Sequence, residues 1–177
     1  MKRAFVVPTM LVAIAFIVAL AIARPSNILR LDVPILTPGT NRSGPASLAM
    51  VLGYYGADST VQRRTDEAYD VKANATSLKD LAATSSRLGY PARIAMPGID
   101  SLVTFMRSGV PPIVCVDPKP GVVAASRYYV ITQWDSLGNR FFARDGGPRL
   151  REVTVPVLET AWQPSGGRAL IVSRRHR

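Results

Sequence analysis

Twenty uncharged residues in a row, Ala4 to Ala23 (AFVVPTMLVAIAFIVALAIA), stand between Lys2-Arg3 and Arg24. At 1.5 Å per residue, a helix of that length spans about 30 Å, the thickness of a bilayer's hydrocarbon core. Pro8 falls early in the run, where a missing amide costs little. The pattern predicts a transmembrane anchor over residues 1–25. A cleaved export signal is the competing reading, because Ala21-Ile22-Ala23 has the small residues of a cleavage site. Its apolar region would be shorter, about 7 to 15 residues, so the uncleaved anchor is preferred.

Residues 26–30 read as a linker to a folded domain over 31–177 with a basic C-terminal tail. Leu31 to Leu36 reads as a brief extended stretch, its Pro34 suited to an edge. A turn-rich stretch (TPGTNR) follows. A helix then starts at Ser43-Gly44-Pro45, with Ser43 as candidate N-cap, and carries Leu48, Val51, Leu52 and Tyr55 at helical spacing before Gly56 stops it. Further helices are expected at Thr60 to Tyr69 and at Leu78 to Leu88. Ser77 and Asp80 are spaced as a capping box for the second of these. A strand at Ala92 to Ala95 and a helix at Asp100 to Arg107 come next. Thereafter the pattern shifts to period two and short apolar runs. Strands are expected at Pro112 to Val116, Arg127 to Trp134, Arg140 to Arg144 and Ala169 to Ser173. A hairpin turn falls at Leu137-Gly138-Asn139 and a helix near Val157 to Trp162. Helices first and an antiparallel sheet afterwards make the class α+β.

Composition then removes most common chemistry. Among 177 residues there is one cysteine, Cys115, and one histidine, His176, which lies in the basic tail. That excludes a disulfide framework, a two-His metal site and a Ser-His or Cys-His couple in the folded part. No cofactor is expected. Cys115, inside PPIVCVD, reads as a small buried hydrophobe. The net charge is +10, and 18 of the 22 basic residues are Arg. No nucleic-acid motif or basic–aromatic interleaving accompanies it, so nucleic acid is not the expected partner. An anionic bilayer or an acidic protein surface accounts for the charge. The patterns Asn41-Arg42-Ser43 and Asn74-Ala75-Thr76 match a glycosylation acceptor only by accident. In Tyr54-Tyr55 and Tyr128-Tyr129, one ring of each pair is expected in the core and one at the surface.

The segment VPILTPGTNRSGPASLAMVLGYYG, Val33 to Gly56, resembles the opening of the bacteriocin-processing, double-glycine leader peptidases, which are papain-like cysteine peptidases. The later blocks LKDLAATSSRLGYPARI, GVPPIVCVD, SRYYVITQWD and FFARDGG follow in the family's order, and the resemblance covers residues 32 to 173. It implies a papain-like domain. It also implies four functional positions, and three are replaced. The family's nucleophilic Cys falls on Ser43, its general-base His on Arg127, and its oxyanion-stabilising Gln on Thr37 or Pro38. Asp145 matches the orienting acid.

A helix N-terminus lowers a thiol's pKa, but a serine hydroxyl needs a base. An arginine stays protonated and cannot be that base. The expectation is a non-catalytic pseudo-peptidase in which Ser43, Arg127 and Asp145 are vestigial, with Arg127 and Asp145 making an ion pair. The chain reads as a structural or adaptor subunit of a membrane protein complex, its partners integral membrane subunits. Alternatives are a peptide-binding module assisting an exporter and a residual hydrolase using Ser43. The expected location is a bacterial inner membrane, crossed once by Ala4 to Ala23, with the N-terminus cytoplasmic and the domain periplasmic.

Overall fold

The computed structural model describes residues 27–36, 42–116, 127–146 and 149–174. The anchor expected over residues 1–25 lies outside these residues. Among the described residues, no helix is long and apolar enough to cross a membrane.

Seven strands build one antiparallel sheet: β1 (Ile28–Arg30), β2 (Ala92–Ala95), β3 (Ile113–Val116), β4 (Arg127–Asp135), β5 (Arg140–Arg144), β6 (Arg151–Thr154) and β7 (Ala169–Val172). Their order is β2-β7-β3-β4-β5-β6, and β1 pairs with β4 beyond the point where β3 begins. The helices are α1 (Ser43–Tyr54), α2 (Ser59–Arg63), α3 (Leu78–Arg87), α4 (Ile99–Arg107) and α5 (Val155–Trp162), with a 3-10 turn, Arg64–Ala68, continuing α2. The α+β class expected from the sequence is the class observed, with α1 packed on β4 and α3 on β2 and β7.

The central strands β3 (IVCV) and β7 (ALIV) are buried at every position, so apolar side chains must face both ways. Helix α1 is buried without a break from Gly44 to Leu52 and forms the centre of the core with Leu81, Met106, Ile113, Ile131, Phe141 and Leu170. An ordinary surface helix buries one stripe; this one has almost no wet face. At α3 the capping box forms as expected: Ser77 Oγ accepts from the Asp80 N–H at 3.1 Å, and the Asp80 carboxylate accepts from the Ser77 N–H at 3.4 Å.

Three elements differ from the sequence pattern. The first strand lies at 28–30, within the expected linker, and the stretch from Leu31 to Leu36 is not a strand. β1 is placed there because Gln133–Asp135 of β4 run on past β3 and offer an open edge, and Leu31 N–H donates onward to the Thr132 carbonyl at 2.8 Å. The expected helix Thr60 to Tyr69 tightens into a 3-10 turn after Arg63. There the Thr65 hydroxyl donates to the Gln62 carbonyl, competing with the α-helical ladder. The sequence pattern does not predict strand β6 (REVT), because an exposed strand carries no apolar alternation. Tyr54 and Tyr55 are both half-buried, against the expected split, because both sit at the last turn of α1 where the core ends.

The β4–β5 turn shows how local chemistry fixes the sheet's register. The Asp135 carboxylate accepts from the N–H groups of Gly138 (3.0 Å) and Leu137 (3.1 Å) and from Arg140 Nε (2.9 Å). Gly138 has no room for a side chain, since a Cβ would sit 2.5 Å from that carboxylate. The Gly138 amide and then Arg140 hold the Asp135 carboxyl below the usual carboxylate range. A depressed folded-state pKa gives stability that is present above the unfolded value, near 3.9, and is lost as pH falls through the folded one. Urea titrations of wild type and Asp135→Asn should therefore differ most at neutral pH, with the gap closing below about pH 4. A gap that is independent of pH would contradict the role assigned to this carboxylate.

Candidate functional site

Helix α1 begins one residue before the position a Ser43 cap would require. Arg42 is the N-cap by backbone geometry (φ −103°, ψ 78°), and no side chain caps the helix. Ser43 is thus the first helical residue, and its hydroxyl turns to the sheet instead, accepting from the Tyr128 N–H at 3.2 Å. One turn later, the Ser47 hydroxyl donates to the Tyr128 carbonyl, also at 3.2 Å.

The strand pattern explains why Tyr128 needs both serines. Cys115 stands opposite Tyr128, and the Cys115 N–H donates to the Arg168 carbonyl, away from β4. The Cys115–Tyr128 pair is therefore the non-hydrogen-bonded kind, and the Tyr128 amide and carbonyl point to the β5 side. On that side the β5 pairing stops at Val130 opposite Arg144. Two buried backbone groups are left without a ladder partner, and such groups must be satisfied. Serines four residues apart on one face of α1 supply an acceptor and a donor.

Gly44 and Pro45 have positional reasons too. A Cβ on Gly44 would lie 3.0 Å from Thr76 Cγ2 and 3.2 Å from the Tyr128 ring, so the helix approaches the strand only without one. Pro45 sits in the first turn, where no amide is needed, and its carbonyl accepts from the Thr65 hydroxyl at 3.0 Å. The Tyr128 ring is buried, and its hydroxyl donates to the Thr76 carbonyl at 2.5 Å. Burial first, and the neighbouring Cys115 thiol second, push that hydroxyl far above the usual phenol range.

The structure brings together most of the positions singled out in the sequence. Arg127, exposed at the start of β4, is the residue before the amide that Ser43 holds. Asp145 follows β5 at the same end of the sheet, but its ion pair is with Arg151, at 2.8 Å. The expected Arg127–Asp145 pair is not among the ion pairs of the described residues. Strand β6 sets Arg151 opposite Ala143, two residues from Asp145 on the same face, and so places a guanidinium within reach. Thr37, Pro38 and His176 lie outside the described residues. Cys115 is buried as expected, at 6% exposure, yet it stands directly across from Tyr128. No sequence signal places it there, because cross-strand register depends on residues distant in the chain. Nor does the sequence pattern single out Ser47, whose one signal is a serine inside an apolar helix four residues from Ser43. Beside the site, the Arg42 guanidinium stacks on the Tyr69 ring at 3.8 Å.

No family model matches the sequence, and no curated protein does. Solved structures match its fold. The chain is similar to a double glycine motif protease from an AMS/PCAT transporter, solved in complex with the leader peptide (TM-score 0.62, 19% identity, covering 82% of this chain and 94% of that one). It is similar to the peptidase domain of Streptococcus ComA, a bifunctional ABC transporter of a quorum-sensing pathway (0.61, 20%, 78% and 96%). A third match is the N-terminal peptidase-like domain of the toxin secretion ATP-binding protein from Vibrio parahaemolyticus (0.55, 17%, 77% and 99%). The fold is that of the double-glycine peptidase domains, at a sequence distance where only the fold is shared ground.

Replacing Ser43 by Ala should leave the Tyr128 N–H without its acceptor, at a cost of about 1–3 kcal/mol in chemical denaturation. Ser43→Thr, which restores the hydroxyl, should recover part of the loss. Equal stability of Ser43→Ala and wild type would show that this bond contributes nothing.

Proposed function

We propose that the chain is a non-catalytic double-glycine-peptidase-like domain, anchored to a membrane and serving as a structural or adaptor subunit of a membrane protein assembly. One observation carries the first part of this reading. At the helix start, where a papain-like peptidase keeps its nucleophile, Ser43 Oγ accepts from the Tyr128 N–H, and the residue before Tyr128 is an arginine, Arg127. A serine becomes a nucleophile when a neighbouring base takes its proton. A guanidinium carries only donors and has no acceptor with which to take it. Asp145, matched to the orienting acid, is engaged by Arg151. Loss of nucleophile and base together removes groups that act as one unit in catalysis.

Anchoring is supported by the apolar run Ala4 to Ala23 and the Lys2-Arg3 and Arg24 that bracket it. An assembly role is supported by the fold's company, since the similar domains described above belong to transport proteins. On this reading the folded domain stands on the outer side of a bacterial inner membrane. A second reading, a peptide-holding module that assists an exporter, is favoured by the similar protease having been solved with a leader peptide. Holding needs a groove and main-chain pairing, not a nucleophile.

An activity-based fluorophosphonate probe should leave Ser43 unlabelled across neutral and alkaline pH. Labelling that disappears in Ser43→Ala would overturn the non-catalytic reading. Mild detergent extraction followed by size-exclusion chromatography should find the chain in a larger species with integral membrane proteins. Migration as a lone monomer would refute the adaptor role, and co-elution with a peptide and an exporter would replace it with the peptide-holding one.

A further inference from the structure

Strand β4 sets the two ends of the domain apart. At one end Arg127 begins the strand beside Ser43; at the other, Asp135 pairs with Ile28, and the Ser136 N–H donates to the Asn27 carbonyl at 3.2 Å. Eight steps of about 3.3 Å separate Arg127 from Asp135, roughly 26 Å. The rest of the fold respects this polarity. Helix α1 starts at the Ser43 end and finishes at the far one, where the Tyr55 hydroxyl donates to the Val172 carbonyl at 2.9 Å. Helix α3 runs the same way, from Ser77 beside Thr76 to Arg87, shortly before Pro91 accepts from the Ser173 N–H. Helix α4 ends at Arg107, just ahead of the start of β3. Helix α5 begins at the far end, with the Val155 N–H donating to the Asn139 carbonyl. Asn27 and Arg174, where the described chain meets residues 26 and 175, therefore lie at one end, opposite Ser43.

That far end carries large exposed apolar side chains: Leu137 at 80%, Val157 at 59% and Ile28 at 42% exposure. Arg30, Arg87 and Arg140 there share their charge with Asp32, Glu67, Asp135 and Glu152. Arg107 and Arg174 are exposed and make no ion pair among the described residues. Arg175 and Arg177 follow in the sequence. Between the apolar run and Asn27 stand only Arg24, Pro25 and Ser26. Four Cα steps, from Ala23 to Asn27, reach at most about 14 Å.

We propose that this end of the domain rests on an anionic bilayer surface, with Leu137 and Ile28 at the headgroup level and the Ser43–Arg127 end held away from it. The inference builds on the anchored reading above. A tether of that reach keeps Asn27 within a headgroup layer of the hydrocarbon edge. Leu137, on the turn beside Asn27, then meets the interface, while arginines at the same end face anionic lipid. Whatever binds near Ser43 approaches from the aqueous side.

The test uses the full chain in mixed phosphatidylglycerol–phosphatidylcholine vesicles. Alkaline carbonate washing comes first, then environment-sensitive fluorophores on Leu137→Cys and on Lys79→Cys. Both positions are exposed, and Lys79 lies in the first turn of α3, at the Ser43 end. Labelled wild type, whose Cys115 is buried, gives the background. With nitroxide-headgroup lipid present, the Leu137 probe should lose about half its emission, as a side chain at interface depth would, and the Lys79 probe should be unaffected. Release of the chain by carbonate would overturn the anchored reading and this proposal with it. Retention with an unquenched Leu137 probe, or with the Lys79 probe quenched equally, would overturn this proposal alone.

Discussion

The fold depends on how a nearly dry helix is fastened to the edge of a sheet. Helix α1 fills the centre of the core, so its position sets that of almost every other element. Apolar packing alone would hold it loosely in register, because burial is not directional. Direction comes from the two serines that take the Tyr128 amide and carbonyl where β5 has stopped. In a low-dielectric interior such bonds are strong, and breaking one leaves an unpaired group behind. Gly44 lets the helix come close enough for both bonds to form, and the Tyr128 hydroxyl ties the same strand to Thr76 ahead of α3.

Much of this architecture is written locally. The Ser77–Asp80 capping box, the turn at Leu137-Gly138-Asn139 and the apolar runs of β3 and β7 are short-range signals, and each is legible in the order of residues. The close backbone approach at Ser-Gly-Pro was legible as a helix start but not as a clamp, since Tyr128 is 85 positions away from Ser43. Strand β1 was hidden because it is three residues long and its partner edge exists only where β3 ends. Asp145's choice of Arg151 depended on β6, whose polar sequence gives no strand pattern. Local chemistry is readable from the chain; pairing between distant segments is not.

The candidate site shows the same division. Positions 43, 127 and 145 lie at one end of the sheet, while Ser43 takes the Tyr128 N–H and Asp145 pairs with Arg151. Arginine accounts for much of that particularity. A guanidinium offers donors and a fixed charge and withholds acceptance altogether, so Arg151 holds the Asp145 carboxylate while Arg42 lies over the Tyr69 ring.

The hydrogen bond between Ser43 and Tyr128 has a consequence for how readily such a site changes hands. A hydroxyl oxygen accepts from an amide far better than a thiol sulfur does. Once the helix start also secures the strand edge, exchange of that oxygen for sulfur loosens the fold before it gains any chemistry. Architecture thereby entrenches the residue: replacing Ser43 by Cys runs uphill in stability, and each further contact built on the clamp makes the slope steeper.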